Sequence, residues 1–81
     1  MDVFETIKAM MVSSGLSVRK LGANMGRSPY YAKTILYGRK SVPSSSILSE
    51  IADTCGYDLL VRNRDDRTEI LIDPPSKEET D

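Results

Sequence analysis

Residues 17–43 of the chain read SVRKLGANMGRSPYYAKTILYGRKSVP, and this stretch decides the fold. Its turn residues predict two short helices that are joined at Gly26 and Arg27 and followed by a loop at Gly38. The stretch contains six basic residues and no acidic one. The six are Arg19, Lys20, Arg27, Lys33, Arg39 and Lys40. A cluster of one charge sign around a helix pair is typical of a protein that binds phosphate groups.

The charge of the chain is unevenly distributed, although the 81 residues together have a net charge of only −1. Residues 1–56 contain seven Lys and Arg and four Asp and Glu, a balance of +3. Residues 57–81 contain four Lys and Arg and eight Asp and Glu, a balance of −4. Such an asymmetry is typical of a nucleic-acid-binding surface that is followed by an acidic, solvated segment.

Length and composition exclude several classes of protein. The single cysteine, Cys55, excludes an intrachain disulfide, and we expect its thiol to be buried and unreactive. Because the chain has no histidine, we expect no metal site and no cofactor. No apolar run approaches the roughly 20 residues that a membrane helix needs, and the first residues lack the features of a signal peptide. We therefore expect a cytoplasmic protein without a membrane partner.

Apolar residues at three- and four-residue spacing predict four helices within residues 3–56. The residues that predict the start of each helix are Asp2, Ser17, Ser28 (with Pro29 at the first helical position) and one of residues 44–46. The residues that predict the end of each helix are Gly15, Gly26, Gly38 and Gly56. The predicted core contains Leu21, Met25, Ile35, Leu48 and Ile51. Gly22 lies in the middle of the second helix, where glycine is unfavourable, and this predicts that another helix crosses closely there.

After Gly56 the apolar period changes from 3.6 to 2, which predicts a β-hairpin. A tight turn centred on Arg64 and Asp65 would place Tyr57 opposite Ile72, Leu59 opposite Ile70, and Val61 opposite Thr68. We expect this face to pack on the helices near the fourth one. Residues 57–73 are thus assigned to the hairpin, and residues 74–81 to a disordered acidic tail.

The predicted hairpin leaves apolar residues and a strand edge unpartnered, which in a monomer favours association. We therefore expect a homodimer, and a two-fold dimer would suit DNA half-sites about one helical turn apart. The predicted dimerisation residues are Leu60, Leu71, Ile70 and Ile72. A monomer whose hairpin only covers the core is the alternative.

The spacing of residues 3–56 resembles the Cro/phage-repressor type of helix-turn-helix domain, the XRE family. The residues that carry this resemblance are Leu16, Ser17, Leu21, Gly22, Gly26, Ile35, Gly38, Arg39, Lys40, Pro43, Ser44, Leu48, Ile51 and Ala52. The resemblance implies a mainly α fold, a four-helix, lambda-repressor-like bundle over residues 1–56 followed by the hairpin. The hairpin stands where the family commonly has a fifth helix.

By this resemblance, residues 28–37 form the recognition helix that enters the major groove of double-stranded DNA. The residues expected to contact bases are Ser28, Pro29, Tyr30, Lys33 and Thr34. The residues expected to contact phosphates are Arg19, Lys20, Arg27, Tyr31, Tyr37, Arg39 and Lys40. Arg39 and Lys40 are the foremost phosphate candidates, and each tyrosine could instead simply pack on the surface.

We therefore expect a sequence-specific DNA-binding transcriptional regulator, a repressor. The alternative is an antitoxin that binds a toxin partner through its apolar hairpin and acidic tail while regulating its own promoter. We do not expect an enzyme, because the sequence has no histidine, no phosphate-binding glycine loop and no plausible nucleophile–base pair. Asp65 and Asp66 are neighbouring carboxylates on a predicted turn, where solubility explains them.

Overall fold

The computed structural model of the chain describes residues 1–39 and 42–75. Its helical elements are α1 Val3–Ser14, α2 Val18–Asn24, α3 Tyr31–Lys33, a π-helical segment Thr34–Arg39 that continues α3, and α4 Ser45–Thr54. The strands β1 Leu59–Arg62 and β2 Glu69–Ile72 form one antiparallel sheet. A helix-rich fold with a C-terminal hairpin is therefore confirmed. Within the described ranges, no helix has the length and apolar character to cross a membrane.

Most helix ends lie where local hydrogen bonding predicts them. The Asp2 carboxylate accepts from the N–H of Glu5 at 2.8 Å, and the Glu5 carboxylate accepts from the N–H of Asp2, completing the predicted capping box. Ser17 and Ser44 are the N-caps of α2 and α4. α1, α2 and α4 are each followed by a glycine in the left-handed conformation. These end signals act over a few residues, and for that reason sequence alone could predict them.

The third helix differs from its prediction at both ends. The hydroxyl of Ser28 accepts from the N–H of Tyr30, and the Ser28 carbonyl accepts from the N–H of Tyr31 at 3.0 Å. Ser28 and Pro29 therefore lie in a turn, and helical structure begins only at Tyr31. Gly38 was expected to end the helix, but its φ is not positive and it lies inside the π-helical segment. The prediction that residues 28–37 form one regular helix is wrong.

The core is formed by the inward faces of the helices. Ile7, Leu21 and Ile51 are its fully buried large side chains. Leu21, Ile35 and Ile51 are buried as predicted, whereas Met25 and Leu48 are half-buried and pack against this core. Cys55 is buried, as predicted, and burial raises the pKa of its thiol, which a hydrogen bond with Ser14 partly opposes.

The register of the hairpin differs from the predicted one by two residues. Leu59 pairs with Ile72, Leu60 with Leu71, Val61 with Ile70, and Arg62 with Glu69. The predicted tight turn at Arg64 and Asp65 is wrong, because it would place two residues with side chains at positive φ. Instead, the Asn63 side chain accepts from the N–H groups of Asp65 and Asp66, and a longer loop follows in which only Arg67 has positive φ. Because the shift is even, each residue keeps its predicted face.

Only one end of the hairpin packs on the helices. Leu59 contacts the core and Ile72 is half-buried. Val61 and Ile70, from the same face, are exposed, so the expectation that this whole face is covered is wrong. Pro74 is buried and Pro75 is half-buried. Residues 76–81 lie outside the described residues, and disorder there stays a prediction.

Candidate nucleic-acid interface

The turn between α2 and the third helical segment is fixed by backbone contacts. Gly26 has φ 74°, and the N–H of Arg27 donates to the carbonyl of Gly22 at 2.9 Å across it. Gly22 is buried, and a Cβ at this position would collide with the carbonyl oxygen of Ser28 and come within 3.5 Å of the Pro29 Cα. The close approach predicted at Gly22 is confirmed, and it is made by the turn that precedes α3 rather than by a helix. This contact sets the position of α3 relative to α2.

One face of the third helical segment is exposed. Tyr30 is 62% exposed and Tyr37 is 54% exposed, and Lys33 and Thr34 are exposed between them. Tyr30, Lys33 and Tyr37 line one shallow depression together with side chains of α2 and its flanks. The other lining residues are Val18, Arg19 and Pro29. The structure thus brings together two sets of predicted DNA contacts that come from different helices.

The basic surface continues along α2. Arg19 and Lys20 are exposed and line a second depression next to Pro29. Ser28 and Thr34 line a third depression, which Tyr30 also lines. Among the described residues, no carboxylate lines any of these three depressions. An anion that entered one of these depressions would therefore meet cations or hydrogen-bond donors.

Two side chains of the exposed face have local partners. The hydroxyl of Thr34 donates to the carbonyl of Tyr30 at 3.0 Å, which leaves its oxygen free to accept a hydrogen bond. The Ser28 hydroxyl already accepts from the N–H of Tyr30 at 3.1 Å and remains able to donate. Lys33 has its ammonium group free for a guanine edge or a phosphate, because Lys33 forms no ion pair within the described part of the chain.

Arg27 and Tyr31 are placed differently from the other predicted phosphate contacts. The guanidinium of Arg27 forms an ion pair with Glu50 of α4 at 3.1 Å and lies over the Tyr31 ring, 4.7 Å from its centroid. Tyr31 is half-buried and packs against the core. Both residues therefore connect the turn to α4 in this structure. Lys40 and the side chain of Arg39 lie outside the described part of the chain, so these foremost phosphate candidates stay predictions.

Lys8 is a basic residue of this surface that the sequence did not identify. It projects from α1, and its Nζ lies over the Tyr37 ring, 4.9 Å from the centroid. The cation–π contact brings a positive charge from the first helix to the end of the third segment. The sequence indicated only that Lys8 follows an apolar residue and lies on the polar side of α1. This does not tell which other helix the lysine contacts.

The side chains exposed at this surface can bind a ligand through charge, hydrogen bonds and aromatic contacts. Among residues 1–39 and 42–75, no group of three His, Cys, Asp or Glu side chains is arranged to hold a metal ion. Within the same ranges, no buried side-chain nitrogen or oxygen lacks a hydrogen-bond partner. What the surface offers is a row of exposed cations, hydroxyls and aromatic rings on two adjoining helices.

Comparison with known proteins gives no relative from which a role could be transferred. No protein-family model, no characterised protein and no solved structure matches the chain significantly.

Proposed function

We propose that this protein is a sequence-specific double-stranded DNA-binding regulator of transcription, a repressor with a helix-turn-helix bundle of the XRE type. The observation that carries the proposal is the exposed face of Tyr30, Lys33 and Tyr37, which adjoins the cations of α2. In the part of the chain that the structure describes, its depressions are lined by no carboxylate. An α-helical segment fits the major groove of B-DNA, which is about 12 Å wide. The third helical segment is accordingly the element that enters the groove.

The division of roles within this surface follows from position. Arg19, Lys20 and Lys8 flank the exposed face and would contact phosphates on either side of the groove, which positions the protein. Lys33 and Thr34 lie on the face itself, where lysine can donate to guanine and threonine can contact thymine. Specificity would therefore depend on the third segment and affinity on the flanking cations.

The start of the third segment is held by several contacts that would also fix its position on DNA. The Ser28–Pro29 turn is held against Gly22 and bonded to Tyr30 and Tyr31. A segment that is fixed before it meets DNA loses little conformational entropy on binding. The contacts of Arg27 with Glu50 and Tyr31 add a second attachment, to α4.

A second candidate function is supported by the hairpin. Its exposed branched side chains would also fit a protein partner, as in an antitoxin that neutralises a toxin and represses its own promoter. This role would add a partner to the DNA-binding surface without replacing it. A neighbouring reading frame for a toxin-like protein would favour it.

Selection of bound fragments from random duplex DNA, followed by sequencing, tests the proposal. We expect enrichment of one operator sequence by the full chain. Lys33→Ala should relax the preference at one base position at a cost of about 1–3 kcal/mol. Arg64→Ala, which removes a similar charge from the hairpin loop, is the matched control and should leave the selected sequence unchanged. Recovery of no enriched sequence would contradict sequence-specific binding.

A further inference from the structure

The outer edge of β1 is unpaired. The N–H of Asn63 donates to the carbonyl of Thr68 at 2.8 Å, which marks this pair as hydrogen-bonded. Because such pairs alternate in an antiparallel ladder, the backbone groups of Leu60 and Arg62 point away from β2. Within the described ranges, the outward N–H and C=O groups of these two residues form no hydrogen bond with the backbone of a turn or loop. The edge therefore presents free donors and acceptors.

Apolar side chains surround this free edge. Leu60 is 37% exposed, Val61 53%, Ile70 69% and Leu71 52%. Half of the eight strand residues are thus branched apolar side chains in contact with water. A two-stranded hairpin is at best marginally stable in water, and an exposed apolar edge favours pairing with another strand.

We infer that a second copy of this chain pairs with the edge, β1 against β1, about a two-fold axis through Leu60. The resulting four-stranded antiparallel sheet has the order β2-β1-β1-β2. In this register Leu60 lies opposite Leu60 of the second copy, and Leu59 lies opposite its Val61. The outward-pointing backbone groups of both copies then face each other, as an antiparallel ladder requires.

Charge complementarity favours this edge and this register. Arg62 pairs with Glu69 across its own hairpin at 3.1 Å, and its exposed guanidinium lies opposite Asp58 of the second copy on the other side. The two-fold axis repeats this contact, so Arg62 of each copy lies between two carboxylates. Pairing through β2 offers a comparable pair only with an axis at Ile70, where Arg67 would lie opposite Asp73, but Arg67 lies in the loop at positive φ and not in extended backbone. A two-fold axis at Leu71 would place Glu69 opposite Asp73 of the second copy, and an axis at Glu69 would place two glutamates together, both of which are destabilising.

The size of the interface determines how strong the dimer is. Each copy contributes Leu59, Val61, Ile70 and Ile72 to one face of the joined sheet, which makes an apolar surface shared by the two copies. A single pair of short strands buries less than the roughly 1,200 Å² that stable complexes commonly need. We therefore expect a dissociation constant in the micromolar range. This inference does not rest on DNA binding.

Complementary charge reversal tests the register. In the homodimer of Asp58→Lys, the new lysine of each copy lies opposite Arg62 of the other, so both contacts are repulsive. Arg62→Glu is combined with Glu69→Arg, so that the ion pair inside the hairpin is kept with its charges exchanged. In the homodimer of this second variant, the new glutamate of each copy lies opposite Asp58 of the other, and both contacts are again repulsive. In a mixture of the two variants, every contact between unlike chains is attractive. Asp73→Lys, which makes the same charge change next to the other edge, is the matched control.

Sedimentation equilibrium of the full chains at up to about 200 µM would populate a complex with a dissociation constant of about 10 µM. We expect the unmodified chain and Asp73→Lys to dimerise, each reversed variant to associate about tenfold more weakly or worse, and the mixture to recover dimers. Circular dichroism checks that all variants are folded. A monomeric mass for the unmodified chain, failure of the mixture to recover, or dissociation caused by Asp73→Lys would each overturn the inference.

Discussion

Gly22 provides the sharpest test of the interface between α2 and the third helical segment. A methyl group at this position would collide with the carbonyl oxygen of Ser28, which is backbone and is held by its hydrogen bond from the N–H of Tyr31. Because that carbonyl cannot rotate away alone, Gly22→Ala forces the turn to move. Overpacking of this kind costs about 1–3 kcal/mol, and we expect the upper part of that range because the obstacle is backbone.

The gain in helix propensity opposes this cost. Alanine is more favourable than glycine inside a helix by about 1 kcal/mol, so the expected net loss for Gly22→Ala is about 1–2 kcal/mol. For a domain of this size that loss corresponds to a decrease of about 4–16 °C in Tm. A thermal melt followed by circular dichroism measures it.

Gly38→Ala is the matched control for this prediction. Among the described residues, a Cβ at Gly38 would meet only the Thr34 side chain, at 3.6 Å, which is an ordinary van der Waals contact. The same substitution should therefore leave the stability unchanged or raise it by up to about 1 kcal/mol. A Gly22→Ala protein that melts at or above the temperature of the unmodified chain would refute the argued contact.

The other predictions concern the core, the ion pair and the hairpin loop. Ile51→Ala, at a fully buried position, should lower the free energy of unfolding by about 2–5 kcal/mol in a denaturant titration, and an unchanged midpoint would contradict the burial. Glu50→Gln should free Arg27 to bind one more phosphate. The slope of log affinity for DNA against log salt concentration should then become more negative by about one. The substitution should change the stability by less than about 1 kcal/mol, because the ion pair is partly exposed. Hydrogen bonds from the N–H and hydroxyl of Thr68 lower the pKa of Asp66 from its usual 3.8. The charged Asp66 carboxylate therefore stabilises the fold above pH 3.8, and this stabilisation is lost as the pH falls through the lowered pKa. In Asp66→Asn, the stability measured as a function of pH should lack this loss.

The features that sequence could predict are those set by neighbouring residues. Asp2, Ser17 and Ser44 cap their helices through bonds that span three residues, and Gly26 ends α2 through its own φ. The buried faces followed from helical spacing, since residues three and four apart share one side of a helix. These features need no knowledge of the tertiary structure.

The features that sequence could not predict depend on longer-range or competing contacts. The loop of the hairpin is set by the Asn63 side chain, which replaces the tight turn that strand alternation alone suggests. Lys8 contacts Tyr37, and Arg27 contacts Glu50, and each contact joins two different helical elements or the turn between them. Helical periodicity shows which side of a helix is buried, but not how one helix is oriented relative to another. The start of α3 was missed because the Ser28 side chain bonds to Tyr30 within a turn.

The central claim is that the surface formed by α2 and the third helical segment binds duplex DNA through its phosphates. Its most direct test is the affinity for a labelled duplex, measured by fluorescence anisotropy between about 50 and 200 mM salt. With about four to six phosphate contacts per protomer, the plot of log affinity against log salt should have a slope of about −4 to −5. Replacing Arg19 and Lys20 together by alanine should make that slope shallower by about two, whereas Arg64→Ala should leave it unchanged. A slope near zero, or equal losses for the two replacements, would contradict the account.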